Sequence, residues 1–472
     1  MQLTRVPTGV PGLDDVLGGG LMKAGVYIVQ GEPGAGKTIL ANQICFHHIA
    51  SGGRVAYVTL LSESHSRMIQ HLEQLSFFRE EAIPDSIHYV SAFSALKADG
   101  LLGVTRLLTD EMRTRKADFL VLDGLVTAAG ASGSNEALKV FVSEIQAHSA
   151  LAGCTTVLLN SVGGPNHVSP EQTMVDGILR LRQDLVGWAH ERTVEVSKFR
   201  GAATLNGVHS MRIANDGVTV FPRLETSHGR SAAPASREPA LSTGIQGLDD
   251  MLEAGGFPSG SVTVAAGYPG SGKTTLGLHF LGQADEQEPA LLFGFYESPE
   301  LLSGIAANLG LRFDALQRSG VLEVMWQPYG ADLLDELAYR LLEAVERRGA
   351  KRVFVDGLGG FVASRSFEER GPKFFSALAT ELRRLGATTL MSLDSEDSLG
   401  QRIPLPSHGV SALADNVVRL HIEERQGALQ RFIAVGKVRG SRYDVGIRRV
   451  ELLPSGLRLV PAEATPASSA DR

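Results

Sequence analysis

Gly31-Glu-Pro-Gly34-Ala-Gly36-Lys37-Thr38 and Gly267-Tyr-Pro-Gly270-Ser-Gly272-Lys273-Thr274 are two copies of one pattern, G-x-x-x-x-G-K-[ST]. The chemistry of that pattern is direct. Its glycines let the backbone bend until several N–H groups point into one cup. Its lysine reaches the β- and γ-phosphates of a nucleotide, and its threonine hydroxyl ligates Mg²⁺. Each copy follows an apolar run, Val26–Gln30 or Val262–Ala266, and opens a helical pattern, from Ile39 or from Leu276. A helix N-terminus adds its own attraction for anions. The two matches in this strand–loop–helix context imply two nucleoside-triphosphate sites. The nucleotide-binding candidates are Gly31, Gly34, Gly36, Lys37 and Thr38, and Gly267, Gly270, Gly272, Lys273, Thr274 and Thr275.

The duplication extends beyond the loops. Pro7-Thr-Gly-Val-Pro-Gly-Leu-Asp14-Asp15 parallels Ser242-Thr-Gly-Ile-Gln-Gly-Leu-Asp249-Asp250. Asp118–Leu125 parallels Lys351–Leu358, and Lys198-Phe-Arg200-Gly201 parallels Lys437-Val-Arg439-Gly440. Equivalent residues stay a near-constant distance apart: 235 from Asp14 to Asp249, 236 from Lys37 to Lys273, 233 from Asp123 to Asp356, 239 from Lys198 to Lys437. Insertions are therefore small, and the halves are expected to share one fold. The expected organisation is a first domain over 1–225, a linker over 226–239, a second domain over 240–461 and a disordered tail over 462–472. The linker and tail are assigned from their small, polar, proline-bearing composition.

Composition narrows the class. The 472 residues predict roughly two to four domains, and the repeat selects two. A hydrophobic content of 43% supports full cores, while no apolar run is long enough for a bilayer. The beginning Met-Gln-Leu-Thr-Arg-Val lacks a secretion signal, so a cytoplasmic location is expected. The two cysteines, Cys45 and Cys154, lie in apolar segments and read as buried thiols. A net charge of −7 disfavours a nucleic-acid-coating surface.

Within each half, continuous apolar runs (Arg54–Leu61, Phe119–Asp123, Thr155–Asn160) alternate with helical patterns (Arg67–Leu75 and near Asn135–Ala150). That alternation predicts an α/β fold with a mostly parallel sheet covered on both faces. Val194–Lys198 and Phe432–Lys437, then Ser210–Ile213 and Arg448–Leu452, read as strands added at the sheet edge. Asp123 and Asp356 each end an apolar strand before a glycine, as a carboxylate of the Mg²⁺ shell would. The metal-site candidates are thus Thr38, Asp123, Thr274 and Asp356. Glu63 and Glu297 follow the strand after each phosphate-loop helix and are the candidates for orienting an attacking water. A helix-terminal acid complementing the dipole is the competing reading. Lys198, Arg200, Lys437 and Arg439 alternate on short strands, so each pair faces one way and can be offered to a phosphate; solvated edge charges are the alternative.

Taken together, the T-G-x-x-G-L-D-D opening, the phosphate loop, the strand-end aspartate and the closing K-x-R-G resemble the KaiC family of RecA-like ATPases, over roughly Leu3–Leu224 and Ala240–Pro461. The resemblance implies two tandem RecA-like P-loop domains, ATP and Mg²⁺ as cofactors, and a homohexameric ring with ATP between subunits. It implies that Lys198, Arg200, Lys437 and Arg439 contact the neighbouring protomer's nucleotide. It also implies regulatory protein partners and serine/threonine autokinase activity, with Ser411 as the phosphoacceptor candidate; Ser395, Ser398 and Ser407 lie nearby. Two departures matter. Family clock proteins carry paired glutamates where this chain has Ser62-Glu63 and Tyr296-Glu297, so hydrolysis rests on the remaining glutamate or is slow. Ser411 is followed by Ala412, so at most one aligned acceptor remains. An ATP-hydrolysing regulatory hexamer leads. A RecA/RadA-like DNA-dependent ATPase and a nucleotide-gated scaffold with little turnover are the alternatives.

Overall fold

The computed structural model describes residues 4–60, 65–125, 128, 134–161, 173–186, 189–227, 239–327, 333–364, 366–394, 414–425, 427–454 and 456–462. The chain divides into two compact units, Met1–Ser227 and His228–Arg472. The first unit closes on a short helix, Leu224–Ser227, so the first two residues of the expected linker are helical.

In the first unit the strands are β1 (Val26–Gly31), β2 (Val55–Thr59), β3 (Ile87–Ser91), β4 (Phe119–Asp123), β5 (Thr155–Ser161), β6 (Gly177–Val186), β7 (Ala189–Phe199), β8 (Val208–Ala214) and β9 (Gly217–Phe221). They form one sheet in the order β3-β2-β4-β5-β1-β6-β7-β8-β9. Neighbours are parallel from β3 to β6, and the last three strands are added antiparallel. The principal helices are α1 (Lys37–Ala50), α2 (Phe93–Thr114) and α3 (Asn135–Ala152).

The second unit repeats this. Its strands are β10 (Val262–Gly267), β11 (Ala290–Gly294), β12 (Leu322–Trp326), β13 (Arg352–Asp356), β14 (Thr388–Asp394), β15 (Asn416–Arg425), β16 (Ala428–Val438), β17 (Arg448–Leu453) and β18 (Gly456–Pro461). Their order, β12-β11-β13-β14-β10-β15-β16-β17-β18, has the same sequence of crossovers. Its helices include α4 (Lys273–Leu281), α5 (Pro299–Asn308), α6 (Leu334–Arg348) and α7 (Ser366–Arg384). These are two tandem RecA-like α/β domains. Among the described residues no helix is long and apolar enough to cross a membrane.

The central strands are apolar throughout because both sheet faces are covered. Successive residues of β1 serve opposite faces: Val26 and Ile28 join one core, Tyr27 and Val29 the other. Both cysteines are fully buried, and burial pushes the Cys154 thiol up to about 12, so neither is a ready nucleophile. The repeated Thr-Gly-x-x-Gly-Leu-Asp opening is a structural clasp. Asp14 accepts hydrogen bonds from the Thr8 amide (2.9 Å) and hydroxyl (2.7 Å), and Asp249 does the same for Thr243 at 2.9 and 2.7 Å.

Helix α4 seats directly on β13. A Cβ built on Gly277 would lie 2.1 Å from the Phe354 ring, where no real contact fits. Gly277→Val is therefore expected to destabilise the second unit by about 1–3 kcal/mol, since overpacking forces side chains and backbone apart. Chemical denaturation checks this, and Phe354→Leu in the same chain should recover part of the loss.

Candidate functional site

Both phosphate loops sit where a parallel strand ends and a helix begins. Gly36 (φ 100°) and Gly272 (φ 106°) take the left-handed backbone at the helix entrance, a conformation costly for any other residue, and Lys37 and Lys273 are the first helical residues. That turn leaves the first amides of α1 and α4 without helical partners, facing the loop. Each lysine folds back over its own loop. Lys37 Nζ donates to the carbonyls of Gly31 (2.8 Å) and Glu32 (2.9 Å), and Lys273 Nζ to those of Gly267 (3.0 Å) and Tyr268 (3.1 Å). Burial lowers the Lys37 pKa, opposed by the charge of Asp123.

The strand order brings the aspartates to the loops. β4 lies one strand away from β1, with β5 between them, and all three run the same way. Asp123 therefore ends at the same sheet edge as Gly31. Its Oδ2 accepts from the Thr38 hydroxyl at 3.4 Å and from Tyr57 Oη at 3.2 Å. In the second unit Asp356 is almost wholly buried. Its Oδ1 accepts from Ser392 Oγ at 2.7 Å, while Oδ2 is buried with no hydrogen-bond partner among the described residues. Burial pushes this carboxyl up to about 6; the Ser392 hydrogen bond opposes that, and the charge of Glu297 adds to it.

A strand-end carboxylate beside a loop threonine hydroxyl offers the oxygen donors that a hard divalent cation takes, and the loop lysine is left for the phosphates. The residues fit Mg²⁺: Thr38 with Asp123, and Thr274 with Asp356. The ion supplies charge neutralisation on the phosphates when bound.

Glu297 stands just before the Ser298 cap of α5, whose hydroxyl accepts from the Leu301 amide at 3.4 Å. Burial raises its pKa, and Asp394 adds to the rise while Lys273 opposes it, so the carboxyl belongs to the same charged cluster. Tyr296, in the place of the paired glutamate, spreads over the loop after Asp356. Cβ atoms at Gly357 and Gly359 would meet its ring at 2.3 Å and its hydroxyl at 2.0 Å. Glu63 and Ser62, and the acceptor candidate Ser411 with Ser395, Ser398 and Ser407, lie outside the described residues.

The four basic candidates are brought together in pairs, but not beside their own phosphate loops. Lys198 pairs across the sheet with Ile178, and Ile178 with Ile28, three residues before Gly31; that is roughly 10 Å short of the loop along the strand. Lys198 Nζ donates to the Thr173 carbonyl at 2.8 Å, where Arg200 also donates at 3.3 Å. Lys437 Nζ donates to the Ala414 carbonyl at 2.7 Å, and Arg439 pairs with Asp415 at 3.3 Å. The strands carrying them are long, β7 and β16 having 11 residues each, and each arginine falls just past the strand end. They are not short edge strands, because each forms a full antiparallel hairpin with its neighbour.

Sequence reading missed two residues that the fold delivers. Ser392 holds Asp356, and Asp394, which ends β14 level with Gly267, pairs with Lys273 at 2.7 Å. The available signal was an acidic residue ending an apolar run at the position that Ser161 occupies in the first half.

A family profile described as the KaiC ATPase matches residues 6–225 and 241–464. The chain belongs to the KaiC ATPase family. The circadian clock oscillator protein KaiC of Rippkaea orientalis is 26% identical, covering 96% of this chain and 88% of that one. The circadian clock oscillator protein KaiC 1 of Synechocystis sp. is 27% identical, with the same coverage of 96% and 88%. The KaiC protein of Prochlorococcus marinus (26% identical) extends over 97% of this chain and 92% of its own. The match runs through both units of this KaiC-like ATPase, so its nucleotide chemistry is that of a tandem P-loop protein.

The raised Asp356 carboxyl has a consequence for stability. The folded protein holds this proton more tightly than the unfolded chain, whose value is near 3.8. Stability is therefore lost as pH rises from about 4 to about 6 and stays lower above that. In metal-free, nucleotide-free protein, Asp356→Asn is expected to be more stable than the parent at pH 8, by on the order of 1–3 kcal/mol. The difference should vanish towards pH 4, as read by thermal denaturation in chelator.

Proposed function

We propose that each half binds Mg-ATP on its phosphate loop and hydrolyses it, and that the chain works as a nucleotide-driven signalling homohexamer in the cytoplasm. The supporting observation is the coincidence, in both halves, of a lysine turned into its loop and a strand-end aspartate at the same sheet edge. Gly31, Gly34, Gly36 and Lys37, and Gly267, Gly270, Gly272 and Lys273 cradle the phosphates; Thr275 flanks the second cradle. Thr38 with Asp123, and Thr274 with Asp356, hold the cation. Glu63 and Glu297 orient the attacking water.

The ring part of the proposal rests on the basic pairs. Lys198, Arg200, Lys437 and Arg439 stand too far along the sheet to reach their own loops, yet they display two cations on one side of each unit. A neighbouring protomer's triphosphate is the partner that suits them. Autophosphorylation at Ser411 and signalling through regulatory proteins extend this reading. A second reading, a scaffold that binds ATP and turns over slowly, is favoured by Tyr296 standing where a carboxylate base would.

Lys37→Ala and Lys273→Ala should each remove one bound nucleotide per chain, and the double variant both. Unchanged stoichiometry by equilibrium dialysis would sink the reading. Assembly should require ATP or a non-hydrolysable analogue, because a bridging ligand's binding energy becomes assembly energy. Arg200→Ala and Arg439→Ala should weaken it without unfolding, as followed by analytical ultracentrifugation. Glu63→Gln combined with Glu297→Gln should lower phosphate release about 10²–10⁴-fold while binding persists. Equal rates in that variant and the parent would place the catalytic group elsewhere; equal and negligible rates would favour the scaffold.

A further inference from the structure

In both units the second residue of the last strand is tied to the phosphate-loop helix, but by different chemistry. Gln43 on α1 and His279 on α4 stand at the same place, six residues after Lys37 and Lys273. In the first unit Gln43 Oε1 accepts from the Val218 amide at 2.7 Å, and its Nε2 donates to the Val218 carbonyl at 3.1 Å. In the second, His279 Nε2 accepts from the Leu457 amide at 3.0 Å. Each approach needs a glycine beside it. A Cβ on Gly217 would lie 2.5 Å from Gln43 Oε1, and one on Gly456 would lie 2.2 Å from His279 Cε1. A backbone amide only donates, so Nε2 is the unprotonated ring nitrogen, and Nδ1–H is left for the Gly244 carbonyl. The buried imidazole is thus held neutral. Burial lowers its pKa from the usual 6.5, and the Gly244 hydrogen bond opposes that.

A proton on Nε2 would set a second N–H against that of Leu457, so the bond is lost and two donors face each other. The strand it holds is an edge: β18 ends its sheet, hydrogen-bonded to β17, with Leu457 and Leu459 packed on the core. The charged groups on the elements around α4 are committed elsewhere. Asp249 takes Ser242 and Thr243, Arg352 takes Glu288, Asp356 takes Ser392, and Asp394 takes Lys273. Arg458 on β18 pairs with Glu451, Arg312 donates to the Gly282 carbonyl, and Glu300 on α5 is exposed beside Ser298. We propose that His279 is an acid-released latch on β18: neutral, it fastens the strand to the phosphate-loop helix, and protonated, it lets the strand go. The Gln43 amide does not titrate, so the first unit's hairpin stays fastened. The inference does not depend on nucleotide binding.

Because the folded pKa is lowered, the latch holds fully above 6.5 and is lost as pH falls below that value. Asp356 titrates nearby with the opposite sign, so the readout must be local to the hairpin. Amide hydrogen exchange on the full chain, compared at about pH 7.5 and about pH 5.5 after correction for intrinsic rates, supplies it. The β17–β18 hairpin is expected to lose protection roughly 3- to 10-fold at the lower pH, while β8–β9 keeps its own. His279→Gln, which copies the first unit, is expected to abolish the loss, and Gln43→His to confer one on β8–β9. An unchanged β17–β18 hairpin in the parent overturns the inference, as does an equal loss in β8–β9 or a loss that persists in His279→Gln. Exchange of the His279 C2 hydrogen in the parent, read by mass spectrometry across pH, decides the matter even if the variants fail to fold. A midpoint below 6.5 supports the latch, and one at or above 6.5 overturns it.

Discussion

A lysine held between a bent glycine loop and a strand-end carboxylate is the constraint around which each half is built. Bringing Lys37 near Asp123 requires two strands far apart in sequence to end at one sheet edge. Parallel strands do this, because every strand then delivers its last residue to the same side. The crossovers that parallel pairing demands become the helices covering both faces, and the apolar strands follow from that covering. The site and the core are consequences of one topology.

The electrostatics of the two sites are not equivalent. Asp123 shares its Oδ2 between Tyr57 and Thr38, whereas Asp356 is buried with Oδ2 unpartnered among the described residues. Buried carboxylates without full hydrogen bonding are costly unless a cation compensates them. The second site thus carries more stored electrostatic cost than the first. Glu297 and Asp394 add to the same negative cluster around Lys273. Loops of one pattern are set in different fields, and the first carries Glu32 where the second has Tyr268.

The basic residues at the far ends of β7 and β16 belong to a different part of the design. Neighbouring Lys198 and Arg200 hold main-chain carbonyls at the start of β6, and Lys437 and Arg439 hold the corresponding turn before β15. Burial and the adjacent arginine both lower the lysine pKa values, so these are cations kept together at some cost.

The sequence by itself determined the duplication, the fold class and the phosphate loops. Glycine spacing, a repeated lysine-threonine pair and apolar strand runs are local signals, and Gly36 and Gly272 can be read from neighbours alone because their backbone demands them. Asp123 and Asp356 were legible for a similar reason, as an acid that ends an apolar run. The tertiary structure decided everything that depends on strand order. Which strand lies beside β10, and so whether Asp394 or some other residue meets Lys273, is a matter of long-range pairing that no local pattern carries. Strand register likewise fixed that Lys198 and Lys437 stand away from their own loops. Burial then separated Asp356 from Asp123, since the same residue type in the same motif titrates by its surroundings and not by its position in the chain.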